Sequence, residues 1–261
     1  MSLRTVFGAL APLRERPIPS QDEVRARWKN YRAYPIDKTH ALHGEALAAL
    51  GDFGVNGENF YFADNNPPYW ERAGGAIAQL VARRSVVEKL GRVNERIAPH
   101  GLALHVYDAW RPTAVQAYFH DIWMPRELSK RDPTLTGAAL RTEVERYWAA
   151  PTENPDAPAP HITGGAVDLT LRWTSGEMPW MGSIFDDVTA AAHRDRMELQ
   201  DATSYSDREA RANRRLLHWL MVDEGFMGHP DEWWHFSWGD QAWAKLSGQS
   251  VAFYGPANFI A

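Results

Sequence analysis

The sequence predicts an α+β fold, a single domain with a small, mainly antiparallel sheet flanked by helices. Short apolar runs that alternate like strands, LALHVYDAW at 102–110 and GAVDLTLRW at 165–173, are interspersed with longer helical stretches. No linker separates two composition regimes, and no internal repeat divides the 261 residues, a length sufficient for one large core.

The elements follow in order. Residues 1–20, with Pro12, Pro17 and Pro19, read as an extended arm. Ser20 precedes QDEVRARWKNYRAY, a capped helix. HALHGEALAALG reads as a second short helix ending at Gly51, and GENFYFADNNPPYWERAGG as strand and loop. AIAQLVARRSVVEKLGRVNERIAPHG has helical spacing, with Gly101 as its stop. LALHVYDAW is a buried strand, and RPTAVQAYFHDIW a helix with Pro112 in its first turn. GAALRTEVERYWAA is helical. The four prolines of PTENPDAPAP at 151–160 then forbid regular structure, leaving a linker or a loop over a site. GAVDLTLRW is a strand, SDREARANRRLLHWLMVDEG an amphipathic helix ending at Gly225, and DEWWHFSW the last strand.

Composition removes several classes of function. The net charge of −5 carries no basic block, which argues against a nucleic-acid partner. The absence of cysteine excludes disulfides, thiol catalysis and thiolate metal sites, so any metal must sit on His and carboxylates. No apolar run reaches the ~18 residues of a membrane span. The opening MSLRTVFGALAPLRERP is a poor signal peptide, its apolar patch broken by Pro12, which predicts a cytoplasmic protein.

Two stretches carry candidate chemistry. In HITGGAVDLTL, His161 and Asp168 lie seven positions apart, roughly 23 Å in an extended strand at ~3.3 Å per residue. Gly164 and Gly165 allow the sharp reversal that would bring both to one metal. In PDEWWHF, Glu232 and His235 would face opposite sides of an ideal strand. Together His161, Asp168 and His235 form a nitrogen and oxygen ligand set suited to one zinc per chain, with an open position for water. Glu232 is then a carboxylate available as a general base. Arg111, in YDAWRP after a buried strand, can hold a substrate carboxylate or steady a developing oxyanion.

This combination resembles the zinc-dependent D-alanyl-D-alanine dipeptidases of the VanX type, within the wider group of zinc D,D-peptidases. That family carries the pattern S-x-H-x-x-G-x-A-x-D, which APHITGGAVD matches at His161, Gly164, Ala166 and Asp168, and a later E-x-W-H, matched at Glu232, Trp234 and His235. YDAWRP looks like the family's arginine motif and MGSIFD like a further segment, whose acidic residue falls on Asp186. The resemblance runs from about Asn59 to Phe236 and makes residues 1–50 an N-terminal extension to a 51–261 catalytic domain. It implies hydrolysis of D-Ala-D-Ala or similar small dipeptides. In that chemistry Glu232 is the base, Arg111 steadies the oxyanion and Asp186 meets the substrate amino group. It also implies that Glu232 enters from an irregular strand start after Pro230. The chain departs from the pattern at Ala159, where the family has serine. A peptidoglycan carboxypeptidase or endopeptidase on the same scaffold, and a zinc-bearing binding module without turnover, are the rival readings.

Overall fold

The computed structural model describes residues 7–145, 148, 150–152 and 154–259. A 3-10 turn at Gly8–Leu10 leads into α1 (Ala11–Glu15), so the expected extended arm is helical here. Pro12 sits in the first turn, where a missing N–H costs no hydrogen bond. α2 (Asp22–Trp28) follows Ser20. β1 (Leu47–Ala49), β2 (Asn56–Gly57) and β3 (Val81–Arg83) are short. β1 pairs antiparallel with β3, where the sequence predicts a helix over 40–51 and the start of another at 76. The pairing overrides the helix preference of Leu47, Ala48 and Ala49, a weak local bias that tertiary contacts routinely outweigh.

α3 (Arg84–Ile97) buries Val86, Val87, Leu90, Val93 and Ile97 along one face. It ends in the turn Ala98–His100 and at Gly101, whose φ of 71° suits glycine. β4 (Leu102–Asp108) alternates buried and half-buried residues throughout. α4 (Thr113–Tyr118) starts after Pro112 and passes through a π turn, Phe119–Trp123, into α5 (Met124–Arg131). α6 (Gly137–Val144) covers the first part of the helix predicted over 137–150, of which residues 146, 147 and 149 lie outside the described residues. The described residues of 151–160 form no helix or strand. β5 (Ala166–Trp173) is followed by α7 (Tyr205–Asp223), which opens on a reciprocal cap between Ser204 and Asp207. β6 (Met227–Gly228), β7 (His235–Ser237) and α8 (Gln241–Ser247) complete the domain.

The main sheet has the order β2-β4-β5-β7-β6, parallel only between β2 and β4, so it is mainly antiparallel as the sequence predicts. Central β5 is buried along its first six residues. Its Leu169 and Leu171 join Leu90, Val106, Leu216, Leu220 and Phe236 in the core. The register sets Asp108 of β4 opposite Asp168 of β5, and Asp168 opposite His235 of β7. Among the described residues no helix is long and apolar enough to cross a membrane.

The predicted last strand, 231–238, is shorter than expected because a buried arginine takes its carbonyls. Arg194 is 1% exposed and donates to the main-chain oxygens of His229 at 2.8 Å, Glu232 at 3.1 Å and His235 at 2.7 Å. Residues 230–234 are therefore held as a turn rather than paired in a ladder. Gly228 makes the room, since a Cβ there would lie 1.9 Å from the guanidinium carbon. Burial pushes the Arg194 pKa down to about 9, which leaves it charged at neutral pH. Arg194→Met removes every donor of this side chain and strands the His229 and Glu232 carbonyls, while the His235 oxygen keeps the His229 N–H at 3.1 Å. With each unsatisfied buried group costing ~1–3 kcal/mol, urea denaturation should show a loss of about 2 kcal/mol or more. A loss below about 1 kcal/mol would mean that the turn holds itself.

Candidate active site

The site is built on one row across three strands. Residues directly opposite in adjacent strands have Cβ atoms only ~5 Å apart. Asp168 and His235 are therefore neighbours by register, and the His235 Nδ1 lies 3.0 Å from an Asp168 oxygen. His161 joins from outside the sheet. It stands in a 3-10 turn, His161–Thr163, and Gly164 at φ 71° reverses the chain into β5. The predicted turn between the two residues is present. The His161 Nε2 comes within 3.1 Å of the His235 Nδ1 and 3.3 Å of Asp168.

One donor atom from each of His161, Asp168 and His235 lies within 4.8 Å of the others, and all three residues are buried. Each imidazole has its outer nitrogen tied down. The His161 Nδ1 faces the Ala109 carbonyl at 2.8 Å, and the His235 Nε2 faces the Ser237 hydroxyl at 3.3 Å. Such outer contacts fix the tautomer and aim the inner nitrogen, as they do for metal-ligating histidines. Two imidazoles and a carboxylate without thiolate suit zinc.

Arg111 enters just past the end of β4. Its Nε donates to Asp108 at 2.8 Å, and one terminal nitrogen donates to Asp168 at 3.3 Å and to the Tyr61 hydroxyl at 3.2 Å. Its side chain is 11% exposed, so it is not a surface residue. Burial alone would raise the Asp168 carboxyl, but His161 and His235 hold it well below the usual carboxylate range. Asp108 is raised, chiefly by burial, although Arg111 and His161 oppose the shift. Burial, and Arg111 beside it, would lower His161, yet Asp168 and Asp108 together outweigh them and the net shift is upward.

Glu232 and Asp186 flank this core. Glu232 leaves the Arg194-bound turn and places its Oε2 3.7 Å from the His235 Nδ1. Its side chain keeps 39% exposure and borders the open cleft. Loss of water, reinforced by Asp168 and Asp186, pushes it up to about 7 against the opposing His235. One Asp186 oxygen accepts from the Tyr61 and Tyr69 hydroxyls, both at 2.8 Å. Burial and Asp168 push Asp186 up to about 6, while Arg111 and the two tyrosines resist. Its φ of 56° is a strained setting for a non-glycine residue.

All six predicted site residues line one cleft of about 580 Å³, and so do Ala159 and part of the 151–160 stretch. Pro151, Thr152, Ala159 and Pro160 of that stretch therefore border the site. Sequence reasoning misses Asp108, Tyr61 and Tyr69. Asp108 left a signal: Leu102, Leu104, Val106 and Asp108 are the buried positions of one alternating strand, and the last is an acid. The tyrosines left none, because their partner Asp186 is more than 100 residues away.

A family described as D-ala-D-ala dipeptidase, peptidase M15, matches residues 59–253. A D-alanyl-D-alanine dipeptidase of Synechocystis sp. is 32% identical, covering 87% of this chain and 96% of its own length. Relatives of the same name from Escherichia coli, at 31% over 60% of this chain and 67% of theirs, and from Enterococcus faecium, at 29% over 64% and 78%, are also similar. The extent of the family match and the near-complete alignment with the Synechocystis relative place this chain in the M15 D-Ala-D-Ala dipeptidase family.

Proposed function

We propose that the chain is a zinc dipeptidase hydrolysing D-Ala-D-Ala or similar small D-amino-acid dipeptides. The observation that carries the reading is Asp186, a carboxylate fixed by two tyrosines in the cleft that holds the metal-type triad. A half-buried carboxylate there suits a free substrate ammonium. An N-blocked or mid-chain peptide would leave it unpaired, a costly outcome. That feature favours a dipeptidase over a carboxypeptidase or endopeptidase on the same scaffold. The D,D preference rests on the names of the relatives.

His161, Asp168 and His235 would hold the zinc. Zinc bound there supplies a Lewis acid that lowers the pKa of water and polarises a carbonyl. Glu232 lies beside this set without belonging to it. A carboxylate in that place, next to His235 and bordering the open cleft, can take a proton from the attacking water and return it to the leaving amine. Arg111 is locked between Asp108 and Asp168 and stays cationic, so it meets negative charge developing on the substrate oxygen without moving. Asp186 orients the amino end.

Three outcomes are expected. First, chelation should abolish dipeptide hydrolysis and zinc should restore it. Glu232→Gln should keep zinc, measured by elemental analysis, yet lose turnover by roughly 10²–10⁴-fold. Loss of zinc in that variant would make Glu232 a ligand. Second, a hydrolysis screen should show D-Ala-D-Ala cleaved well ahead of L,L-dipeptides and N-acylated tripeptides. Preference for the acylated substrates would overturn the dipeptidase reading.

The third outcome concerns pH. The Asp186 carboxyl titrates near 6 when folded and near ~3.9 when unfolded. Between those values the folded chain binds the extra proton, so this group's contribution to stability falls as pH rises. Asn carries no such ionisation. Metal-free Asp186→Asn should therefore gain stability relative to metal-free wild type as pH rises from about 4 to 7. A difference that stays flat across urea titrations would assign Asp186 an ordinary pKa.

A further inference from the structure

The segment ahead of the family-matched stretch is docked against the site by its own side chains. Arg25 on α2 donates to Asp231 at 2.6 Å and to Asp195 at 2.9 Å, residues that adjoin Glu232 and Arg194 in sequence. The Gln21 main-chain nitrogen donates to the other Asp195 oxygen at 2.9 Å. The Trp28 ring packs edge-on to His229 at 4.0 Å and to His235 at 6.3 Å, and meets Tyr31 at 4.8 Å. Buried Gln241 donates to the carbonyls of Arg32, Tyr34 and Asp156. The backbone of Arg32 is thus pinned where this segment meets the 151–160 loop. Trp28, Tyr31 and Arg32 line the same cleft as the triad.

The two cleft arginines differ in how they are occupied. Arg111 is engaged by Asp108, Asp168 and Tyr61. Arg32 donates from its Nε to the Tyr31 hydroxyl at 3.2 Å, and among the described residues no carboxylate lies within ion-pair distance of it. A planar guanidinium whose terminal nitrogens have no partner among the described residues is matched in geometry to a carboxylate. The two candidate charge poles also reach the triad through different residues. Asp186 contacts Tyr61, which contacts Arg111, whereas Arg32 contacts Tyr31, which packs on Trp28 beside His235. A free dipeptide carries an ammonium at one end and a carboxylate at the other.

We propose that residues 21–34 form a wall of the active site and that the Arg32 guanidinium binds the C-terminal carboxylate of the dipeptide, an inference that rests on the dipeptidase reading. Arg32 then sets specificity for a free C-terminus, as Asp186 does for a free N-terminus. Ala159, across the same cleft, offers the carboxylate no side-chain donor.

The test compares D-Ala-D-Ala with its C-terminal amide by calorimetric titration of the zinc-loaded full chain. A Glu232→Gln background keeps the peptide intact. With Arg32 present the acid should bind roughly ten- to a hundredfold more tightly than the amide, the range for a charge-assisted hydrogen bond. Adding Arg32→Ala should erase that gap, with amide affinity, zinc content and thermal midpoint unchanged, and Arg32→Lys should restore part of it. A gap that survives Arg32→Ala, the absence of any gap, or no binding of either peptide would overturn the proposal. Failure of the reaction reading is distinct: wild type would cleave no dipeptide, while the Arg32-dependent gap would persist and leave the carboxylate site standing.

Discussion

The register between β4, β5 and β7 is the constraint on which the site depends. It sets Asp108, Asp168 and His235 in one row. A slip of one residue in either pairing would send a member to the opposite face, because side chains alternate along a strand. The row also sets two buried carboxylates on adjacent strands, an unfavourable pairing on its own. Arg111 and His161 each lie close to both acids, so the residues that relieve the repulsion also belong to the site. The charge balance of the row and the fold around it cannot be altered separately.

The Glu232–His235 turn is positioned from behind in a comparable way. A regular strand through DEWWHF would separate the two side chains. Arg194 instead gathers the carbonyls of residues 229, 232 and 235 onto one guanidinium. The Arg25 contact to Asp231 then holds the outside of the same turn. The placement of Glu232 and His235 is therefore fixed by one arginine in the core and another on the N-terminal segment, both remote from it in sequence.

What was legible in the sequence follows from how local each signal is. The helices with one apolar face, Arg84–Ile97 and Tyr205–Asp223, could be read because their periodicity is contained within them. The reversal at Gly164 was legible because two glycines between candidate ligands leave few other uses. The strand Leu47–Ala49 was not, since its partner Val81–Arg83 supplies the reason for it and lies more than 30 residues away. Helical structure at residues 8–15 was hidden by reading Pro12 as a breaker when it occupies a first turn. The same distinction holds in the site. His161, Asp168, Glu232 and His235 sit in compact motifs, whereas the Tyr61 and Tyr69 contacts to Asp186 and the cleft lining by Trp28 and Arg32 exist only after folding.

Electrostatics links the parts. Asp108, Asp168, Asp186 and Glu232 bring four carboxyls to a site where Arg111 is the closely engaged cation. In water such a surplus would be screened. In this cleft burial raises Glu232 and Asp186, and the neighbouring acids add to the shift, Asp168 in both cases. A divalent cation at the triad and a substrate ammonium at Asp186 are the charges that would offset this surplus. The same surplus makes the cleft poor at holding the other end of a zwitterion. A substrate carboxylate needs a cation set apart from the acids, and among the cleft residues Arg32 meets that condition, on a wall contributed by the N-terminal segment.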